Sequence, residues 1–137
     1  MYDIQRIGKI ITDIEKFAKE LSSYKIREVS DLSDSKTFHA TSMVIFGILN
    51  RTIDLGSEIL FAENLGAPNT YQDIMPTLAK ANIIDKERAE KLNKMINKRN
   101  ILAHFYGDIK EKDLLSLAKN INLIEDFVRT VKKNVKV

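Results

Sequence analysis

The sequence predicts an all-α fold, an up-and-down four-helix bundle with one additional short helix. Three observations carry this reading. Apolar residues recur with a 3.6-residue period through four separate stretches. No stretch alternates apolar and polar residues over a useful strand length. The polar breaks between the stretches supply helix caps and turn residues.

The first helix is expected over about residues 3–23, where Ile4, Ile7, Ile11, Ile14, Ala18 and Leu21 share one face. Ser30-Asp-Leu-Ser-Asp-Ser then reads as a polar linker offering several N-cap candidates, since Ser and Asp oxygens accept from the first free amides of a helix. The second helix is expected over about residues 36–62. Its apolar positions, Phe38, Val44, Ile45, Ile48, Leu49, Ile53, Leu55, Ile59 and Leu60, cover about half of its circumference. A face that wide packs against several neighbours, which makes this the central helix. Gly47 and Gly56 weaken it slightly but admit a close neighbour. Residues 64–70, with Gly66 and Pro68, are a break, followed by a short helix over about 71–81. Asp85 is the expected N-cap of the next long helix, which Gly107 and Asp108 end or bend. The last helix, about 110–133, carries Leu114, Leu117, Ala118, Ile121, Ile124, Val128 and Val131 on one face.

At 137 residues the chain is expected to form one domain, residues 1–137, and to bury roughly two-thirds of its unfolded surface. Hydrophobic residues make up 44% and charged residues 30%, within the range of ordinary globular chains. With no cysteine, disulfides, thiolate metal sites and cysteine nucleophiles are excluded, and a cytoplasmic setting is expected. Met-Tyr-Asp-Ile-Gln-Arg lacks the basic and apolar blocks of a secretory leader. No apolar run approaches the ~20 residues that span a bilayer, so no membrane association is expected. A net charge of +3 permits contact with nucleic acid without arguing for it.

The stretch that carries chemistry is Arg99-Asn-Ile-Leu-Ala-His-Phe-Tyr. On a helical wheel Arg99 falls about 20° from Leu92, inside the stripe formed by Leu92, Met95, Ile96, Leu102 and Ala103. Tyr106, seven residues on, falls beside Arg99, while Asn100 and His104 stack four apart on one flank. A charge inside an apolar stripe faces a core, a partner or a ligand, and the first is costly without a counter-ion.

Arg99-x4-His104-x-Tyr106, with Asn100 directly after the arginine, resembles the Arg-x4-His-x-Tyr signature of HEPN-domain ribonuclease toxins of the HepT type. The similarity extends to Leu65-Gly-Ala-Pro-Asn-Thr-Tyr-Gln-Asp-Ile, a loop and short helix typical of that family at this place. The resemblance implies an endoribonuclease that acts without a metal or other cofactor. It implies a homodimer with a composite cleft, and a minimal nucleotidyltransferase antitoxin as partner in a hetero-oligomer. It also implies transfer of AMP from ATP to Tyr106 by that partner.

The residue types suit this chemistry. RNA is cleaved without metal when its 2′-hydroxyl is deprotonated and attacks the adjacent phosphate. An imidazole such as His104 moves protons near neutrality. The guanidinium of Arg99 forks onto phosphate oxygens and keeps its charge. Asn100 is placed to orient the imidazole or hold a phosphate oxygen, and Tyr106 to bond a phosphate or stack on a base. Arg99 and His104, however, lie about 140° apart on a straight helix. Either the helix distorts before Gly107, or two copies of the motif share a groove across a two-fold axis; the resemblance implies the second.

Structural roles stand beside these. Arg99 could form a buried ion pair with Asp54 or Glu58, and His104 could cap helix-terminal carbonyls. His39 has no motif around it and reads as structural or surface. Lys91, Lys94 and Lys98 form a row beside the stripe, and Arg129, Lys132, Lys133 and Lys136 a basic tail. Such rows are usually solvated and track RNA only where the cleft adjoins them. No carboxylate–histidine cluster has metal-ligand spacing. The alternative to an enzyme is a non-catalytic module that docks a nucleotidyltransferase and presents a nucleotide or substrate.

Overall fold

A computed structural model describes residues 1–104 and 109–136 of the chain. The fold is all-α. In chain order the helices are α1 (Ile4–Ser23), α2 (Ser35–Ala62), α3 (Ile74–Lys80), α4 (Lys86–Ile96), α5 (Arg99–His104), α6 (Glu111–Lys119) and α7 (Ile121–Val135). Four helical arms, α1, α2, α4–α5 and α6–α7, form the up-and-down bundle, and α3 is the additional short helix.

Aspartates start three of these helices. Asp3 accepts from the Arg6 amide, Asp34 from Thr37 and Asp85 from Arg88, at 3.0, 3.0 and 2.8 Å. Each satisfies a first-turn amide that has no partner inside its helix. Asp34 is therefore the cap drawn from the polar linker. The linker is more ordered than its composition suggests. Val29–Leu32 forms a 310 turn, closed reciprocally by Glu28 and Asp31, and seats Leu32 in the core at 1% exposure.

The wide apolar face of α2 does what its width requires. It packs against α1, α3, α5 and α6, with Ile45, Ile48, Leu49 and Leu55 fully buried. On α1, Ile7, Ile10, Ile11, Ile14 and Leu21 are buried, whereas Ile4 at the helix start is exposed. Asp13 of α1 and Arg51 of α2 pair at 2.6 Å across this contact. The hydrogen bond from Lys9, followed by that from Arg51, holds the Asp13 carboxyl below the usual carboxylate range. At the other end Tyr2 donates to Glu63; burial and that carboxylate push its pKa to about 12.

Two of the expected continuous helices are jointed. The α4 arm breaks at Asn97–Lys98, where the Lys98 amide reaches back three residues to Met95 instead of four. The last arm breaks at Asn120, whose side-chain amide donates to the Ser116 carbonyl at 2.7 Å while its backbone amide bonds Leu117. An asparagine side chain that binds local backbone competes with the helix ladder.

Candidate active site

Arg99 opens α5 directly after the first joint, and the Leu102 amide closes the new helix onto the Lys98 carbonyl at 3.2 Å. The side chain of Arg99 is half-buried. Its Nε–H donates to Oδ1 of Asn50 at 2.7 Å, and Nη1 donates to Oδ1 of Asn100 at 3.1 Å. The guanidinium carbon lies 5.6 Å from the ring centre of Phe46 and 5.8 Å from that of Tyr71. Phe46 and Asn50 are four apart on α2, so they present one face to the arginine.

These four neighbours, all among the described residues, are neutral. Neither carboxylate proposed as an ion-pair partner reaches Arg99: Asp54 is held by Arg51 at 3.0 Å and Glu58 by Arg6. No carboxylate among the described residues pairs with Arg99. A cation held by amide oxygens and aromatic faces keeps its full charge for an anion. Of the five N–H groups of a guanidinium, three remain without a partner among the described residues.

Asn100 is exposed and engaged with Arg99. His104 is the last residue of α5, with an exposed side chain. The joint precedes Arg99, so it does not bring the two closer. Five residues of one helix set them about 140° and about 7.5 Å apart along the axis. Tyr106 lies outside the described residues. His39 is exposed at the start of α2, edge-on to the Phe38 ring at 5.9 Å between centres. Among the described residues no group of three or more histidine and acidic side chains is gathered to hold a metal ion.

The lysine row lies in a distinct setting. Lys91, Lys94 and Lys98 line an open groove of about 520 Å³, facing Ser116, Asn120 and Asn122 around the second joint. The buried Met95 and Leu117 also line it, as does Asp113. Lys98 immediately precedes Arg99, so one end of the row adjoins the candidate site. Two residues of the basic tail are otherwise engaged: Arg129 pairs with Asp126, and Lys132 with Glu15 of α1 at 2.7 Å.

The sequence reading assigns no role to Phe46 or Asn50, and includes Tyr71 only within the Leu65–Ile74 stretch of the family resemblance. The polar Asn50 one turn after Phe46, amid the apolar run of α2, was the signal available for the first two.

A family profile described as Ribonuclease HepT-like matches residues 7–132. The chain belongs to this family. Solved structures agree in fold. A Shewanella oneidensis HEPN toxin, tri-AMPylated and in complex with its MNT antitoxin, superposes with a TM-score of 0.86 at 22% identity, covering 97% of this chain and 99% of that one. A toxin–antitoxin complex with AMP-PNP gives 0.85 at 20% identity, covering 93% and 97%. YutE of Bacillus subtilis, a cytosolic protein of unknown function, gives 0.84 at 20% identity, covering 99% and 94%. Among curated proteins none matches the sequence. In this HepT-like chain the arginine and histidine of the Arg-x4-His element both fall on α5. No helix among the described residues is long and apolar enough to cross a membrane.

Proposed function

We propose that this HepT-like chain is a metal-independent endoribonuclease, the toxin of a toxin–antitoxin pair, with Arg99 and His104 as its catalytic residues. The observation that carries this reading is the half-buried Arg99 guanidinium held by neutral groups while the nearby carboxylates serve other arginines. A structural arginine at such a position is expected to find an acid; an anion-binding one is expected to be left unneutralised.

In the reaction a His104 imidazole accepts the 2′-hydroxyl proton. The bond from the 2′ oxygen to phosphorus forms, the bond from phosphorus to the 5′ oxygen breaks, and an imidazolium returns a proton to the departing oxygen. The products are a 2′,3′-cyclic phosphate and a 5′-hydroxyl. Arg99 stabilises the extra negative charge on the phosphorane, and Asn100 braces it. The separation of Arg99 and His104 on α5 favours a homodimer in which Arg99 of one subunit and His104 of the other serve one phosphate. Lys98, Lys94 and Lys91 then continue the path of the RNA backbone away from the cut.

Control is expected through an MNT-type nucleotidyltransferase in a hetero-oligomer, since two of the similar structures are toxin–antitoxin complexes and one of these toxins is AMPylated. Tyr106 is the acceptor by its place in the motif. Its oxygen displaces pyrophosphate from ATP and forms a bond to the α-phosphorus, and the attached phosphate occupies Arg99. Incubation with the partner and Mg·ATP should add one or more AMP masses to the wild type and none to Tyr106→Phe. Addition at another residue would remove Tyr106 from this role.

The decisive assay is RNA cleavage by the purified chain in EDTA. Cyclic phosphate ends are expected, with activity lost in Arg99→Ala and in His104→Ala at unchanged helicity. A chain that binds the nucleotidyltransferase but cuts no RNA would be the docking module instead.

A further inference from the structure

We propose that Tyr71 is a positioning residue for Arg99, acting through its ring together with Phe46. The inference rests on the reading of Arg99 as the phosphate-binding cation, and concerns what keeps that cation in place.

Arginine has a long side chain with many rotamers, and a guanidinium that must be immobilised at the moment of reaction loses that freedom there. Here it is fixed beforehand. Asn50 takes the Nε edge at 2.7 Å, and the rings of Phe46 and Tyr71 attract the cation from 5.6 and 5.8 Å. Unlike a carboxylate, these groups hold the arginine without cancelling its charge. Phe46 and Asn50 come from α2 and Tyr71 from a separate element, so the site closes only when that element is docked.

The docking is close. Tyr71 opens a 310 turn, Tyr71–Asp73, closed by reciprocal bonds between Thr70 and Asp73. Ile74, the next residue, sits over Gly56 of α2 so closely that a Cβ there would lie 2.4 Å from its Cγ2. The Tyr71 hydroxyl is buried and has no hydrogen-bond partner among the described residues. Its loss therefore removes no bond to a described residue, and the ring is assigned as the working part.

The test combines kinetics with the Nε–H resonance of Arg99. In the wild type that proton is expected to exchange slowly and to carry a ring-current shift. Tyr71→Phe should keep both the resonance and wild-type kinetics. Tyr71→Leu should lose the shift and lower kcat about tenfold or more, with KM within about twofold, because a loosened arginine still meets the ground-state phosphate but not the transition state. Phe46→Leu, on the other wall, should act in the same way and serves if Tyr71→Leu does not fold. An unchanged resonance and kcat in the folded leucine variants would overturn the proposal, as would a Tyr71→Phe variant as impaired as Tyr71→Leu. If the wild type cuts no RNA, the ribonuclease reading fails, and the Arg99 resonance alone decides whether Tyr71 positions it.

Discussion

The Arg99 guanidinium is surrounded by an amide oxygen on α2, a second amide oxygen on its own helix and two aromatic rings, with no acid among the described residues to neutralise it. Charge and position are thus supplied by different groups, and each can be altered separately. Asn50→Asp keeps the shape and the Nε bond but places a negative charge 2.7 Å from the arginine. A charge-assisted pair would then compete with phosphate, so RNA cleavage should fall about tenfold or more while thermal stability holds or rises. Cleavage rates and a melting curve on the same preparation check this; undiminished cleavage would mean that free charge on Arg99 is not used. The arginine was readable from sequence because its place in an apolar stripe is anomalous. Its neighbours were not, because Asn50 and Tyr71 are separated from it by 49 and 28 positions, and a helical wheel describes one helix at a time.

At the level of elements, the breaks matter more than the helices. Periodicity located the four arms because burying one face demands it, but a joint of one or two residues leaves the apolar period nearly intact. The joint at Asn97–Lys98 and that at Asn120 both face the lysine groove. The asparagine at each was present to be read, as a residue whose side chain rivals the helix ladder. Leu32 was hidden for the opposite reason: one apolar residue in a polar linker has no period. The seat of Ile74 on Gly56 is the joint between α2 and the turn that bears Tyr71. Gly56→Ala should destabilise the chain by about 1–3 kcal/mol, since a methyl at 2.4 Å must displace Ile74. Cleavage should fall further than stability explains, because the same shift moves Tyr71. Denaturant melts and rates at a temperature where the variant is folded separate the two; a variant as stable and active as wild type would show that the contact yields freely.

For the molecule as a whole, the bundle places the Arg99 contacts among the described residues on α2, α5 and the turn before α3, and leaves His104 at the far end of α5. The proposed dimer follows from this distance. The fold class was readable because an apolar period is a property of one chain. A two-fold axis leaves no mark in the sequence of one chain beyond the awkward spacing of Arg99 and His104. Sedimentation should give a homodimer, and a monomer that cleaves RNA would defeat the shared site. The most direct measurement mixes Arg99→Ala and His104→Ala proteins, each inert alone, and follows RNA cleavage in EDTA. A heterodimer then holds one site with both residues intact. Random exchange makes about half of the dimers mixed, so cleavage should recover to about a quarter of wild type, with 2′,3′-cyclic phosphate ends. Activity in either variant alone would contradict the assigned roles, and a mixture that exchanges subunits yet stays inert beside an active wild type would contradict a site shared between them.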